Sequence, residues 1–133
     1  MRYETIDHTA DTGIVAYGET IEALFENAAF GMFDLMFDVE RLAPLTHADV
    51  IVEGGDLPGL LYAWLSELLY RFEADEMAWC RFDVAIEHGQ VRARVGGGPV
   101  PELTGPPIKA VTLHGLDVVR DEREWAATVV FDV

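Results

Sequence analysis

One cysteine, one serine and one lysine stand in this chain of 133 residues, and each scarcity excludes something. Cys80 cannot close an internal disulfide, so the fold must be held by packing, with Cys80 read as a small buried hydrophobe in a strand. Ser66 sits inside a helical pattern, no Gly-x-Ser-x-Gly is present, and Cys80 has no histidine beside it in sequence, so nucleophilic hydrolysis finds little support. Lys109 and eight arginines make up the nine cationic residues, against 24 Asp and Glu, for a formal charge of −15. Such a surface repels phosphate backbones, and direct nucleic-acid binding is not expected. No apolar run approaches the roughly 18 to 20 residues of a membrane span, and the sequence opens on no signal-type segment. A cytoplasmic protein without membrane association is expected, forming one domain over residues 1–133.

Apolar periodicity marks two helices. From a Thr20 cap, Ile21, Leu24, Phe25, Ala28, Met32, Leu35 and Met36 share one face, with Glu22, Glu26 and Asn27 outside it. Gly31 in the middle of this helix predicts a close neighbour. After Asp56, with Pro58 in the first turn, Leu57, Leu60, Leu61, Trp64, Leu65, Leu68, Leu69 and Phe72 form a second stripe. Both stripes are read as core. Elsewhere alternation predicts strands at 13–18, with 2–6 as an extension of it, and at 49–53. Cys80 to Glu87 and Gln90 to Val95 read as a hairpin across His88-Gly89, facing Glu87 with Gln90, Ala85 with Arg92 and Asp83 with Arg94, the last as an outer-face ion pair. A second hairpin joins 109–119 to 125–133. Residues 96–107, rich in glycine and proline, read as a mobile surface loop and a partner-contact element; no helix follows the three glycines, so they make no phosphate loop. The resulting class is α+β, two amphipathic helices packed on a largely antiparallel sheet or open barrel.

What chemistry there is gathers in Asp7-His8-Thr9-Ala10-Asp11 and in Asp132-Val133. Two carboxylates and an imidazole within one short segment, paralleled by Asp132 beside the main-chain carboxylate of Val133, are the ingredients of an oxygen-rich cation site. Carboxylates suit hard ions, so a divalent cation such as calcium, magnesium or manganese is expected. The four histidines His8, His47, His88 and His114 and the one cysteine lack the paired spacing of structural zinc. No complete catalytic apparatus is present, and the chain reads as a non-enzyme.

Tyr3-Glu4-Thr5-Ile6-Asp7-His8-Thr9-Ala10-Asp11, the helix opening at Thr20-Ile21-Glu22-Ala23-Leu24-Phe25, the stretch Trp64-Leu65-Ser66-Glu67-Leu68-Leu69-Tyr70, Ile108-Lys109-Ala110-Val111-Thr112-Leu113-His114-Gly115-Leu116 and the closing Val130-Phe131-Asp132-Val133 together resemble the archease family. The resemblance runs the length of the chain in one order. It implies a protein cofactor that activates an RtcB-type tRNA-splicing RNA ligase, promoting guanylylation of the ligase by GTP and multiple turnover in tRNA processing; GTP and manganese belong to the ligase. It implies a cation held by Asp11, Asp132 and the main-chain carboxylate of Val133. Asp7 and His8 are expected to orient the motif, Lys109 to bridge acidic residues or touch a phosphate, and His114, in the matching family motif, to stand around the site or at the partner contact without an assigned role. Leu113 stands where many archeases carry Tyr, and Ser66 where they carry Asn. A chaperone-like binding module is the main alternative, and a small metal-dependent hydrolase a weaker one.

Overall fold

A computed structural model describes residues 1–7 and 11–133, with Asp7 described by its backbone alone. The chain runs β1 (Tyr3–Asp7), β2 (Asp11–Gly18), α1 (Ile21–Asp34), a 3-10 turn (Val39–Arg41), β3 (Thr46–Glu53), α2 (Leu57–Asp75), β4 (Met77–Glu87), β5 (Gln90–Pro99), β6 (Ala110–Arg120) and β7 (Trp125–Asp132). Residues 2–6 prove to be no extension of the next strand. They form β1, which folds back antiparallel on β2 with Tyr3 opposite Ala16 and Asp7 opposite Thr12.

Both helices begin where their caps predict. The Thr20 hydroxyl accepts the Ala23 N–H at 3.0 Å, and Asp56 accepts the Gly59 N–H at 2.8 Å, each satisfying a donor that the first turn leaves free. α1 ends at Asp34, short of the expected Met36, and buries Ala29 and Phe33 besides its predicted stripe. The reason is that α1 is covered on more than one side, packing on β2 and on β4. Gly31 is the close approach: a Cβ there would lie 2.9 Å from the Tyr3 ring. α2 buries the expected Leu60, Leu61, Trp64, Leu65, Leu68, Leu69 and Phe72, and the Trp64 indole donates to the Phe25 carbonyl at 3.0 Å, tying the helices together. Each large apolar side chain so buried is worth about 1.5–3 kcal/mol.

Every strand pairing among the described residues is antiparallel, and the strands divide into two sheets ordered β1-β2-β7-β6 and β3-β5-β4. They do not close into a barrel. The helices join the sheets: α1 touches β2 of one and β4 of the other, and α2 touches β6 of one and β3 of the other. The β4–β5 hairpin has the register read from the sequence, with His88 at φ 52° and Gly89 at φ 72° in its two-residue turn. Asp83 does face Arg94, yet the Arg94 guanidinium makes its ion pair with Asp49 of β3, at 3.7 Å.

The glycine-proline stretch is the clearest departure from expectation. Gly96, Gly97 and Gly98 are buried within β5, between β3 and β4. A register shift between Trp79 and Arg81 lets Ala78, Trp79 and Cys80 all turn inward, and a Cβ on Gly97 would overlap the Ala78 carbonyl oxygen. The remaining loop is tied to the end of α1: Thr104 and Gly105 donate their N–H groups to the Met36 carbonyl at 2.8 and 3.3 Å, and Ile108 is buried.

Glu26 of α1 serves the edge of β4, accepting the Val84 N–H at 2.9 Å. Burial raises its carboxyl above the ordinary value, the Val84 N–H opposes that, and Asp83 and Glu22 raise it further. A folded-state pKa above the unfolded one means that this group favours folding at low pH, a contribution lost as pH rises through the folded pKa. Glu26→Gln keeps an acceptor for Val84 and removes the charge. Its unfolding free energy in urea should exceed that of the wild type at pH 7 by a few tenths to about 1 kcal/mol, discounted for solvent screening, and the difference should vanish near pH 3, where both forms are neutral.

Candidate functional site: an aspartate pair where three strands meet

β2 begins with Asp11 and β7 ends with Asp132, and the ladder sets these two residues directly opposite each other. Residues so paired share one face of the sheet, with Cβ atoms about 4.5–5.5 Å apart, where like charges repel. Asp11 is half-buried and Asp132 exposed. The ion pairs within 4 Å among the described residues join Arg2 to Glu40, Arg41 to Asp38, Arg71 to Glu67 and Arg94 to Asp49, and none involves Asp11 or Asp132.

β6 completes the arrangement on the other side of β7. Ala110 stands opposite Asp132, and the Lys109 N–H donates to the Asp132 carbonyl at 2.7 Å. Three segments that lie far apart in sequence, ending at Asp11, Asp132 and Lys109, thus come together at one end of the first sheet. Val133 follows Asp132 and packs its side chain against the core. The backbone of Asp7 lies at the same end, opposite Thr12. His8 and the Asp7 side chain lie outside the described residues.

Two further expected residues follow along the same edge. Lys109 lines a cleft of about 240 Å³ between α2 and β6, with Tyr62, Ser66, Tyr70, Glu73 and Val111. His114 is exposed five positions after Lys109, where residues 113–116 bulge out of the ladder between Thr112 and Asp117, and Gly115 takes φ 67°. The α2 members of the cleft escaped the sequence reading, although Tyr62, Ser66, Tyr70 and Glu73 recur at helical spacing beside the core stripe. That second stripe was the signal.

Chemically, the site offers two opposed carboxylates with no described cation against them, a donor set that fits a hard divalent ion. No group of three or more His, Cys, Asp or Glu side chains gathers among the described residues, so further oxygen ligands would have to come from elsewhere, such as a main-chain carboxylate. Cys80 is no rival centre, because burial raises its thiol pKa, opposed by the neighbouring Arg81, and so disfavours the thiolate. No described helix is long and apolar enough to cross a membrane.

The profile of the archease protein family matches residues 3–133. The protein archease of Methanosarcina mazei is 39% identical over 140 residues, covering 99% of this chain and 96% of that protein. That of Methanopyrus kandleri is 36% identical and covers 100% of both. Among solved structures, Methanobacterium thermoautotrophicum protein 1598 superposes with a TM-score of 0.84 at 28% identity, covering 99% of each chain. An archease from Thermotoga maritima, described as a possible chaperone, gives 0.71 at 20% identity over 96% of this chain and 94% of its own, a likeness of fold. Neither the family's description nor these names designates a catalytic activity. Matched along nearly its whole length in sequence and in fold, the chain belongs to the archease family.

Proposed function

We propose that this chain activates an RtcB-type RNA ligase, favouring guanylylation of the ligase by GTP and hence repeated turnover, without itself joining RNA. The observation that supports this reading most directly is the register that opposes Asp11 to Asp132, since it builds from two family motifs one anionic point able to hold a divalent cation. In this reading Asp11, Asp132 and the main-chain carboxylate of Val133 hold the ion, calcium first, and Asp7 and His8 fix the motif around it. The ion would supply positive charge to orient phosphate or carboxylate oxygens in the partner's site. The chain's own residues do the positioning: β2, β7 and β6 fix the carboxylates on a rigid sheet. A net charge of −15 steers the protein towards a cationic cleft, so stimulation should weaken as salt rises.

The test is ligation of a 3′-phosphate RNA to a 5′-hydroxyl RNA by the cognate ligase, with RNA in excess. Added protein should turn a reaction that stalls after about one turnover into one that continues; a ligase indifferent to the protein would overturn the reading.

The cation has its own test. In chelator, Asp11→Asn relieves a like-charge pair and should melt at or above the wild-type temperature, by up to about 1 kcal/mol of added stability. Calcium at a hundred times its dissociation constant should stabilise the wild type by about 2.7 kcal/mol and leave the variant nearly unmoved. Equal calcium responses would remove the ion from this site.

A further inference from the structure

We infer that the cleft between α2 and β6 is a second contact surface for the ligase, taking an extended segment of that protein whose main chain pairs with β6. The inference rests on the reading just proposed and adds to it where the partner is gripped, as distinct from where it is acted upon.

The cleft begins where the aspartate pair ends. Lys109 donates its main-chain N–H to the Asp132 carbonyl and also lines the cleft, so a partner seated over Asp11 and Asp132 meets the cleft next. β6 is the outer strand of its sheet, with no described strand beyond it. Such an edge offers unpaired main-chain donors and acceptors to an added strand. The bulge at 113–116 interrupts regular pairing, which confines an added strand to about Lys109 to Thr112, the part nearest the aspartates.

The side chains define the occupant's chemistry. Tyr70 is 64% exposed, an aromatic surface on a protein whose exterior is otherwise rich in carboxylates, and Tyr62 lines the same cleft eight residues earlier on α2. Exposed tyrosines of this kind commonly carry a large share of binding energy at protein interfaces. Lys109 is the chain's one lysine, and it lines the cleft with Glu73, with no ion pair between them within 4 Å among the described residues. The fitting segment therefore carries an apolar or aromatic side chain for the tyrosines and an acidic one for Lys109. Its acidic member also sets it apart from the cationic surface that the aspartate pair attracts.

The experiment titrates this protein into the ligase under RNA excess and reads two quantities, the concentration giving half-maximal stimulation and the plateau. Tyr70→Ser should raise the half-maximal concentration about tenfold or more and leave the plateau in place, since gripping and activation are separate; Tyr70→Phe should restore most of the loss. Ile51→Ser, which removes an apolar side chain 54% exposed on the other sheet, should titrate as the wild type does. Melting curves confirm that each variant is folded. A Tyr70→Ser curve that overlays the wild type, or an equal shift from Ile51→Ser, overturns the assignment of the cleft. Failure of the wild type to stimulate at all overturns the underlying function instead, and the cleft's occupant falls with it.

Discussion

Replacing Asp132 with alanine should return a stimulated ligase to its stalled state, and Asp11→Ala should do the same. The two carboxylates face each other across one rung of the β2–β7 ladder, and the proposed ion would need both. Even a change outside the direct ligands of a metal commonly costs 10- to 100-fold in affinity, and loss of one of two opposed aspartates should cost about 100-fold or more. Stimulation should disappear at any concentration of the variant, a fall in plateau that a weakened grip would not produce. Asp83→Ala is the matched control, removing one negative charge from β4 on the other sheet. If long-range attraction alone carried the effect, the three variants would lose stimulation equally and only modestly. Rapid multiple-turnover ligation by Asp132→Ala would end the argument for the aspartate pair.

Gly97→Ala should be the most damaging single methyl group tested in this fold. The added Cβ would overlap the carbonyl oxygen of Ala78, which belongs to β4 and cannot rotate away as a side chain could. Overpacking of flexible core positions costs about 1–3 kcal/mol, and a clash with paired backbone should exceed that, lowering the melting temperature by about 10 °C or more. Gly55→Ala provides the contrast, because nothing lies within 4 Å of its added Cβ. Thermal unfolding of the pair separates a glycine required by close strand approach from one that merely occupies a turn; equal melting temperatures would refute the packing account.

The helices and the central hairpin were legible because side chains report periodicity. Thr20 and Asp56 gave the starts, Trp64 and its neighbours the buried face, and Asp83, Ala85 and Glu87 the register against Arg94, Arg92 and Gln90. Gly96 to Gly98 were illegible for the converse reason, since glycine displays no alternation and proline nearby imitates a loop. The ion pair of Arg94 with Asp49 could not be foreseen because β3 joins β5 from a distant part of the chain. At the candidate site, the sequence supplied the aspartates and left their juxtaposition to the family resemblance, whereas the register now places Asp11 against Asp132 by backbone pairing. Tyr62, Tyr70 and Glu73 were hidden beside a stronger apolar stripe on the same helix.

The β2–β7 pairing also bears on the order of assembly during synthesis. Asp11 and Asp132 lie 121 positions apart, the longest separation among the described strand pairings, and β7 follows every other described strand in the chain. Strands β3, β4 and β5 with α2 come from one continuous interior stretch and can pair early, whereas β1 and β2 alone make a two-stranded ribbon of marginal stability. A nascent chain therefore carries Asp11 long before its opposite number is made. Asp11 and Asp132 come to face each other only when β7 pairs with β2, so their juxtaposition reports that the longest-range strand pairing among the described residues has formed.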